Sequence, residues 1–364
     1  MNKNLLAIAV GAVFAIPSAA FADTKVYGKF NIGLDSQKDE IGLDFNKDKT
    51  VAGKDNTWKF RDNNNSSRLG FKGDQDVGLG DLKVIYQLEY GIDPDGSENT
   101  PFSERNIFVG LKGGWGTVKF GKYDTPVKVA GEKADQFNDT IGDDTNLMSG
   151  ETRANNMIQY TSPTLGDMFS FNVAVAPGEG RAAADDNSDV DNGLADTYYA
   201  SLVFDMKMVY ASLAYAGNEV SGLKVDGSPY AIDILRATVA VKPITDLEIA
   251  ALYQQAQGVD RKVGGVSDNA SDKQDNTWMA SVGYSISAFK LKAQYGQTKG
   301  DASDYKRKEM AFGVDYKLSK SLVSQLYYVA YEQDKPVTLG TAPATETINK
   351  PKTDTVGVAL VYTF

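Results

Sequence analysis

The sequence has 364 residues, with 38 Lys and Arg against 48 Asp and Glu, a net charge of −10, and neither cysteine nor histidine. Without cysteine there is no disulfide framework and no thiolate metal site; without histidine the commonest general base and transition-metal ligand are gone, and Ser-His-Asp and Cys-His mechanisms are excluded. Acid-pair chemistry stays open in principle, but among 48 carboxylates a chance pair carries no signal, so no enzyme activity and no cofactor is expected, and the acidic balance argues against nucleic acid.

The chain begins with a short basic start (Lys3), an apolar run from Leu5 to Ile16, and then Pro17, Ser18, Ala19, Ala20, Phe21 and Ala22. Ala20-Phe21-Ala22 is a small-x-small cleavage signal, so residues 1–22 are expected to be a secretory signal peptide. Cleavage after Ala22 leaves residues 23–364 as one domain of 342 residues, with a charge of −11 because one base and no acid depart. No run of 18 apolar residues follows, so no membrane-spanning helix is expected. An exported chain without a stop-transfer segment is either soluble outside the cytoplasm or inserted as a barrel.

From Lys25 the chain repeats one pattern: about ten residues that alternate apolar and polar, then a turn cluster, with short and long connections in alternation. That is the rhythm of an outer-membrane barrel. In the first segment, Lys25 to Asp35, Val26, Gly28, Phe30, Ile32 and Leu34 share one face, and Lys25, Tyr27, Lys29, Asn31 and Gly33 the other. A polar loop is expected over 36–63. Strands follow at 66–74, with Arg68, Gly70 and Lys72 inward, at 82–90, and at 102–112 and 116–123 around the tight Gly113-Gly114 turn. Residues 124–152 then show no sustained alternation and carry seven acids against Lys128 and Lys133; a structureless stretch of that length is functional or disordered.

Eleven further strands are expected near 153–161, 168–176, 194–205, 208–218, 230–242, 246–257, 274–286, 288–299, 306–317, 321–332 and 352–364. In the clearest, Trp278, Ala280, Val282 and Tyr284 alternate with small or polar residues that suit a water-filled lumen and not the apolar interior of a β-sandwich. The last, Asp354 to Phe364, puts Val356, Val358, Leu360, Tyr362 and Phe364 on one face and stops on an aromatic residue, as a closing strand that faces lipid would. The sum is sixteen strands, an even count that brings both ends to one side. Closure satisfies every backbone hydrogen bond in lipid and leaves no edge. The fold expected is therefore an all-β, sixteen-stranded antiparallel transmembrane barrel.

Several motifs now carry a resemblance: Val26-Tyr27-Gly28-Lys29; Ser67-Arg68-Leu69-Gly70-Phe71-Lys72-Gly73; Phe108-Val109-Gly110-Leu111-Lys112-Gly113-Gly114-Trp115-Gly116-Thr117-Val118 with Phe120-Gly121-Lys122; Asn156-Met157-Ile158-Gln159-Tyr160-Thr161-Ser162-Pro163; and the terminal Tyr362-Thr363-Phe364. In their order and spacing the chain resembles the Gram-negative trimeric general porins. The resemblance implies a homotrimer in the outer membrane, in contact with lipid and lipopolysaccharide, that passes ions and small hydrophilic solutes by passive diffusion. It implies that the third external loop, residues 124–152, folds inward and faces a ladder of bases. By resemblance the ladder is Lys29, Arg68, Arg105 and Arg153, and the loop's acids are Glu132, Asp135, Asp139, Asp143 and Asp144, with Asp135 and Asp139 first as the central ones. Strands one to five would make the subunit contact, with Gly28 and Gly110 as small outward residues.

Strand parity agrees for Lys29 and Arg68, and for Arg153 counted with Asn155 and Gln159. Arg105 shares parity with Ile107, Val109 and Leu111, so either that strand puts apolar residues in the lumen or Arg105 faces out; the resemblance favours the lumen. The loop lacks the Pro-Glu-Phe-Gly run of the enteric porins and has Asp135-Gln136-Phe137-Asn138 instead. Asp185, Asp186, Asp189 and Asp191 could hold a divalent cation but read first as solvated surface. A solute-selective channel for sugars or anions on the same barrel is the alternative function. The net charge suggests a mild cation preference, and the basic ladder opposes it.

Overall fold

The computed structural model describes residues 24–39, 53–62, 66–94, 96, 100–179, 193–227, 231–259, 270–335, 337–339, 346–348 and 350–364. The expected signal peptide and the four acids between Asp185 and Asp191 lie outside these residues.

The strands are β1 (Lys25–Asp39), β2 (Gly53–Asp62), β3 (Arg68–Asp76), β4 (Lys83–Ile92), β5 (Phe102–Gly113), β6 (Gly116–Asp124), β7 (Arg153–Thr161), β8 (Phe169–Ala176), β9 (Thr197–Asp205) and β10 (Val209–Glu219). There follow β11 (Ile232–Ile244), β12 (Leu247–Gly258), β13 (Gln274–Ile286), β14 (Phe289–Gly300), β15 (Lys306–Lys317), β16 (Leu322–Gln333), a two-stranded hairpin of β17 (Val337–Leu339) and β18 (Glu346–Ile348), and β19 (Lys352–Thr363). From β3 to β16 each strand pairs antiparallel with the next, and β16 pairs with β19. β19 then closes on β1, from Lys29↔Thr363 to Asp39↔Thr353, and Gly28 and Phe364 exchange backbone hydrogen bonds of 3.0 and 3.1 Å.

β2 and β3 form a single stave: β1 pairs with β3 over Lys25 to Lys29 and with β2 over Ile32 to Asp39. Counted so, the barrel has sixteen staves. The polar loop expected over 36–63 is thus partly wrong. β1 runs on to Asp39 and β2 returns beside it, although only Trp58 and Phe60 mark an apolar face there.

Polarity is inverted relative to a water-soluble sheet. In β19 Val356, Val358 and Leu360 are about half exposed, while Thr353, Thr355 and Ala359 are buried. In β13 Trp278, Val282 and Tyr284 are exposed, and Asp275, Thr277 and Ser281 are buried. An apolar outer face with a polar inner face is stable only where lipid surrounds the barrel. Close to the short turns, aromatic side chains pair on the outer face: Trp115 on Tyr160, Phe169 on Phe204, Phe289 on Tyr316 and Tyr362 on Phe364. Such a belt fits the membrane interface, where amphipathic rings bridge lipid and water.

Two register shifts re-aim side chains. Leu88 faces Ile107 but Tyr90 faces Glu104, so Arg105 and Asn106 together oppose Glu89. The extra residue reverses the parity of β5: Val109 and Leu111 are exposed outside, while Arg105 turns inward beside Glu89. The alternatives left open for Arg105 are thereby resolved, and Gly110 falls on the inner face, contrary to the outward place expected. In β7, Asn155 and Asn156 both oppose Lys122, and Asn156 has φ +55°. Parity counted from Gln159 therefore does not carry through to Arg153. Bulges of this kind bend a strand and redirect a side chain where function needs it.

Candidate functional site

Residues 125–152, between β6 and β7, lie inside the barrel against the inner face of β10–β16. The chain enters through a short helix, α1 (Pro126–Gly131), whose N-cap Thr125 accepts a hydrogen bond from the Lys128 amide. Val127, Ala130, Ala134, Phe137, Ile141, Leu147 and Met148 are buried against the wall. Gly313 and Gly296 leave room for Phe137 and Leu147; a Cβ on Gly313 would come within 2.9 Å of the Phe137 ring.

An irregular loop has carbonyls that no sheet satisfies, and a buried one must find donors. Here the polar inner wall supplies them. Ser212 donates to Ala130 O at 2.9 Å, Ser281 to Ala134 O at 2.5 Å and Tyr331 to Ile141 O at 2.9 Å. Thr298 donates to Leu147 O at 2.6 Å and Arg307 to Asn146 O at 3.0 Å. Gln294 takes both roles, accepting from Gln136 N at 2.9 Å and donating to Gly142 O at 3.3 Å.

The loop reaches the opposite wall at Asp139, a residue in the left-handed region with φ +60°. Its carboxylate accepts from Lys29 Nζ at 2.7 Å and from Arg68 Nη2 at 3.0 Å, and Asn31 donates to its carbonyl at 2.5 Å. Burial alone would raise the Asp139 carboxyl, but Lys29 and then Arg68 outweigh it and hold it at about 2. Lys29, Arg68, Arg105 and Arg153 all line one cavity of about 400 Å³ bounded by the loop. Arg105 pairs with Glu89 at 2.9 Å and Arg153 with Asp124 at 3.2 Å, so wall acids, not loop acids, are their partners. Lys72 and Lys128 complete six bases around this cavity, against four acids, Glu89, Asp124, Glu132 and Asp139.

The five loop acids thus part company. Asp139 meets the basic wall, and Glu132 lines both this cavity and a second of about 430 Å³ on its other side. Burial, and then Asp124, push the Glu132 carboxyl up to about 7. Asp135, Asp143 and Asp144 are buried, with carboxylate oxygens within 4.8 Å of one another. Asp135 accepts from Phe137 N at 2.7 Å and Asp143 from the amides of Asp139 and Thr145 at 3.0 Å each. Burial, then a neighbouring carboxylate (Asp143 for Asp135, Glu151 for Asp144), raises Asp135 and Asp144 well above the usual range. None of the three lines the cavity of the six bases, although Asp135, like Glu132, lines the second one. A central place in the loop's sequence does not say which side of it a carboxylate takes. Glu89 was within reach of sequence reasoning, because it shares the inward parity of Lys83 and Gln87.

Comparison with known proteins agrees with this architecture. The family model described as Gram-negative porin matches residues 7–336. The chain is 28% identical over 279 residues to the major outer membrane protein P.IB of Neisseria gonorrhoeae, covering 74% of this chain and 69% of the relative. It is 26% identical over 339 residues to P.IB of Neisseria meningitidis serogroup A, covering 88% and 90%. Among solved structures, the anion-selective porin from Comamonas acidovorans superposes with a TM-score of 0.68 at 21% identity, over 94% of this chain and 99% of that one. The trimer form of OmpT from Vibrio cholerae gives 0.61 at 15% identity, over 94% and 99%. With a lipid-facing outer surface, a polar inner face and a cavity lined by charged residues, the chain belongs to the Gram-negative porin family and is an outer-membrane channel for passive diffusion, not an enzyme.

Proposed function

We propose that this chain, exported by cleavage after Ala22, assembles as a homotrimer whose pores admit ions and small hydrophilic solutes generally, with a preference for anions set at the constriction. Lys29, Arg68, Arg105 and Arg153 form its basic wall, and Asp139 and Glu132 its acidic edge. The supporting observation is the local balance of six bases to four acids around the cavity, opposite in sign to the chain's net charge of −10. Charges on distant surfaces are screened within about 8–10 Å at physiological salt. Charges at a narrow point with low-dielectric walls act on every passing ion. The Comamonas acidovorans neighbour is itself described as anion-selective, and the OmpT neighbour as a trimer. In that membrane its outer rim would meet lipopolysaccharide.

The test is single-channel recording of the detergent-extracted protein in a planar bilayer under a salt gradient. A large conductance that closes in three equal steps, with a reversal potential of the sign chloride sets, is the expected result. A potential of the opposite sign would overturn the anion preference. Block by micromolar solute would move the reading to a solute-selective channel.

A further inference from the structure

Both legs of the long loop meet at one side chain that never touches the lumen. Arg236, on the inner face of β11, is 0% exposed. Its Nη1 donates to Val127 O at 3.1 Å, in α1 on the outgoing leg, and pairs with the Glu151 carboxylate. Its Nη2 donates to Ser149 O at 2.9 Å, on the returning leg. Nε donates to Gln254 Oε1 at 2.7 Å, and Gln254 Nε2 donates in turn to the same Ser149 carbonyl at 3.0 Å. Glycines on both legs make the approach possible. A Cβ on Gly131 would lie 2.6 Å from Nη1, and one on Gly150, at φ +87°, would lie 2.7 Å from Ile234 Cδ1.

We propose that Arg236 is a positioning residue for the pore: it clasps the outgoing and returning legs of the long loop and so fixes the width and the charge pattern of the constriction from behind. Its planar fork offers donors in several fixed directions, which a lysine cannot match. The charged hold at the loop's tip is Asp139 on Lys29 and Arg68, partly exposed at the lumen's edge. The Arg236 hold is dry, and a buried charge-assisted hydrogen bond is stronger than an exposed one. Only with the base fixed does the tip meet the same two bases each time. Without Arg236 the carbonyls of Val127 and Ser149 lose donors, and Glu151 loses its bonded partner.

This inference rests on residues 125–152 being the narrowing, and the experiment separates the two. Arg236→Met is made together with Glu151→Gln, so that no unpaired charge is left buried, and is recorded in planar bilayers beside Arg236→Lys and Asp139→Asn. The expected result is insertion with loss of the single sharp conductance level, replaced by a spread of sublevels, and a reversal potential shifted toward zero. Arg236→Lys should fall between it and the parent. A sharp, parental conductance and potential in the double variant, while Asp139→Asn shifts the potential, would overturn the clasp and leave the loop reading standing. No change in any variant would overturn both. If the double variant does not insert, Arg236→Lys decides: sublevels support the clasp, and a parental trace, or no insertion, assigns Arg236 to barrel assembly and overturns it.

Discussion

Replacing Asp139 by Asn removes the one loop carboxylate bonded to the basic wall and changes little else. Asn is nearly the same size and tolerates the left-handed conformation at φ +60° better than most residues. The side chain is 16% exposed, so its interactions are only modestly screened. The fall of the carboxyl from its ordinary 3.8 to about 2 corresponds to about 2 kcal/mol favouring the ionised form, at about 1.4 kcal/mol per pH unit. Asp139→Asn should forfeit that much of the tip's attachment. The six bases would then face three acids in place of four, so the reversal potential in a salt gradient should move further toward chloride's. Closing events should also become more frequent. Lys29→Met in the Asp139→Asn background should cost less than in the parent, because the two changes remove one shared interaction. A reversal potential that stays put or moves toward the cation's would refute the reasoning. The pH sign follows from the depressed carboxyl: its contribution is complete above about 3.8 and is lost as pH falls through about 2. Parental channels should become noisier over that interval, and Asp139→Asn channels should not.

Glu132, raised to about 7, loses its charge as pH falls from alkaline to mildly acidic, so the parental reversal potential should drift toward chloride's on acidification; Glu132→Gln should flatten the titration, and an unflattened one would assign it elsewhere. Asp144 is held toward its neutral form by burial and by Glu151; the unfolded chain therefore loses this proton first, stability falls as pH climbs from about 3.8 toward the raised folded value, and Asp144→Asn, which has no proton to lose, should outlast the parent in heat unfolding above about pH 3.8. Gly28→Val would drive a side chain into the Phe364 ring at the closing seam, and gel mobility before and after heating should show a smaller folded fraction; full folding would mean the seam yields easily. Raising salt from about 0.1 M to 1 M shortens the screening length from about 10 to 3 Å, so ion preference should shrink, and a preference indifferent to salt would point to size, not charge.

The sixteen strands were legible because each transmembrane stave must be apolar on alternate residues, and that signal repeats along the chain. β2 was not, since in the stretch 53–62 the apolar side is carried by Trp58 and Phe60 among charged and amide residues. Parity failed at Arg105 and Gly110 for one reason: a bulge adds a residue without leaving a mark in composition, and every face beyond it is reversed. The bases Lys29 and Arg68 were legible because no bulge separates them from the apolar residues used to count. The loop's acids were the least legible. Asp135, Asp139, Asp143 and Asp144 lie within ten residues of one another in sequence, yet only Asp139 meets a base of the ladder, and that difference is made by the wall.

The inner surface divides its work by residue type. Along β10–β16 the side chains that meet the long loop are mostly uncharged hydrogen-bonders: Ser212, Gln254, Ser281, Gln294, Thr298 and Tyr331. Along β1, β3, β5 and β7 they are Lys29, Arg68, Arg105 and Arg153, facing the open cavity. The reverse arrangement would be costly, because charges covered by the loop would lose their water and need partners of their own. At the open cavity the same charges keep part of their solvation, with side chains 11 to 23% exposed. Arg236 and Glu151 are a charged pair on the covered side, and they compensate each other. On the open side the acids do not cancel the bases. Asp139 is shared between Lys29 and Arg68, Asp124 between Lys128 and Arg153, and Glu89 pairs with Arg105. Three acids thus engage five bases, and Lys72 lies over the Tyr27 ring at 4.7 Å. The bases around the cavity thus outnumber the carboxylates that pair with them, and Asp139 and Asp124 are each shared between two. That asymmetry comes from the sharing, and it would survive a change of net charge on the outer loops.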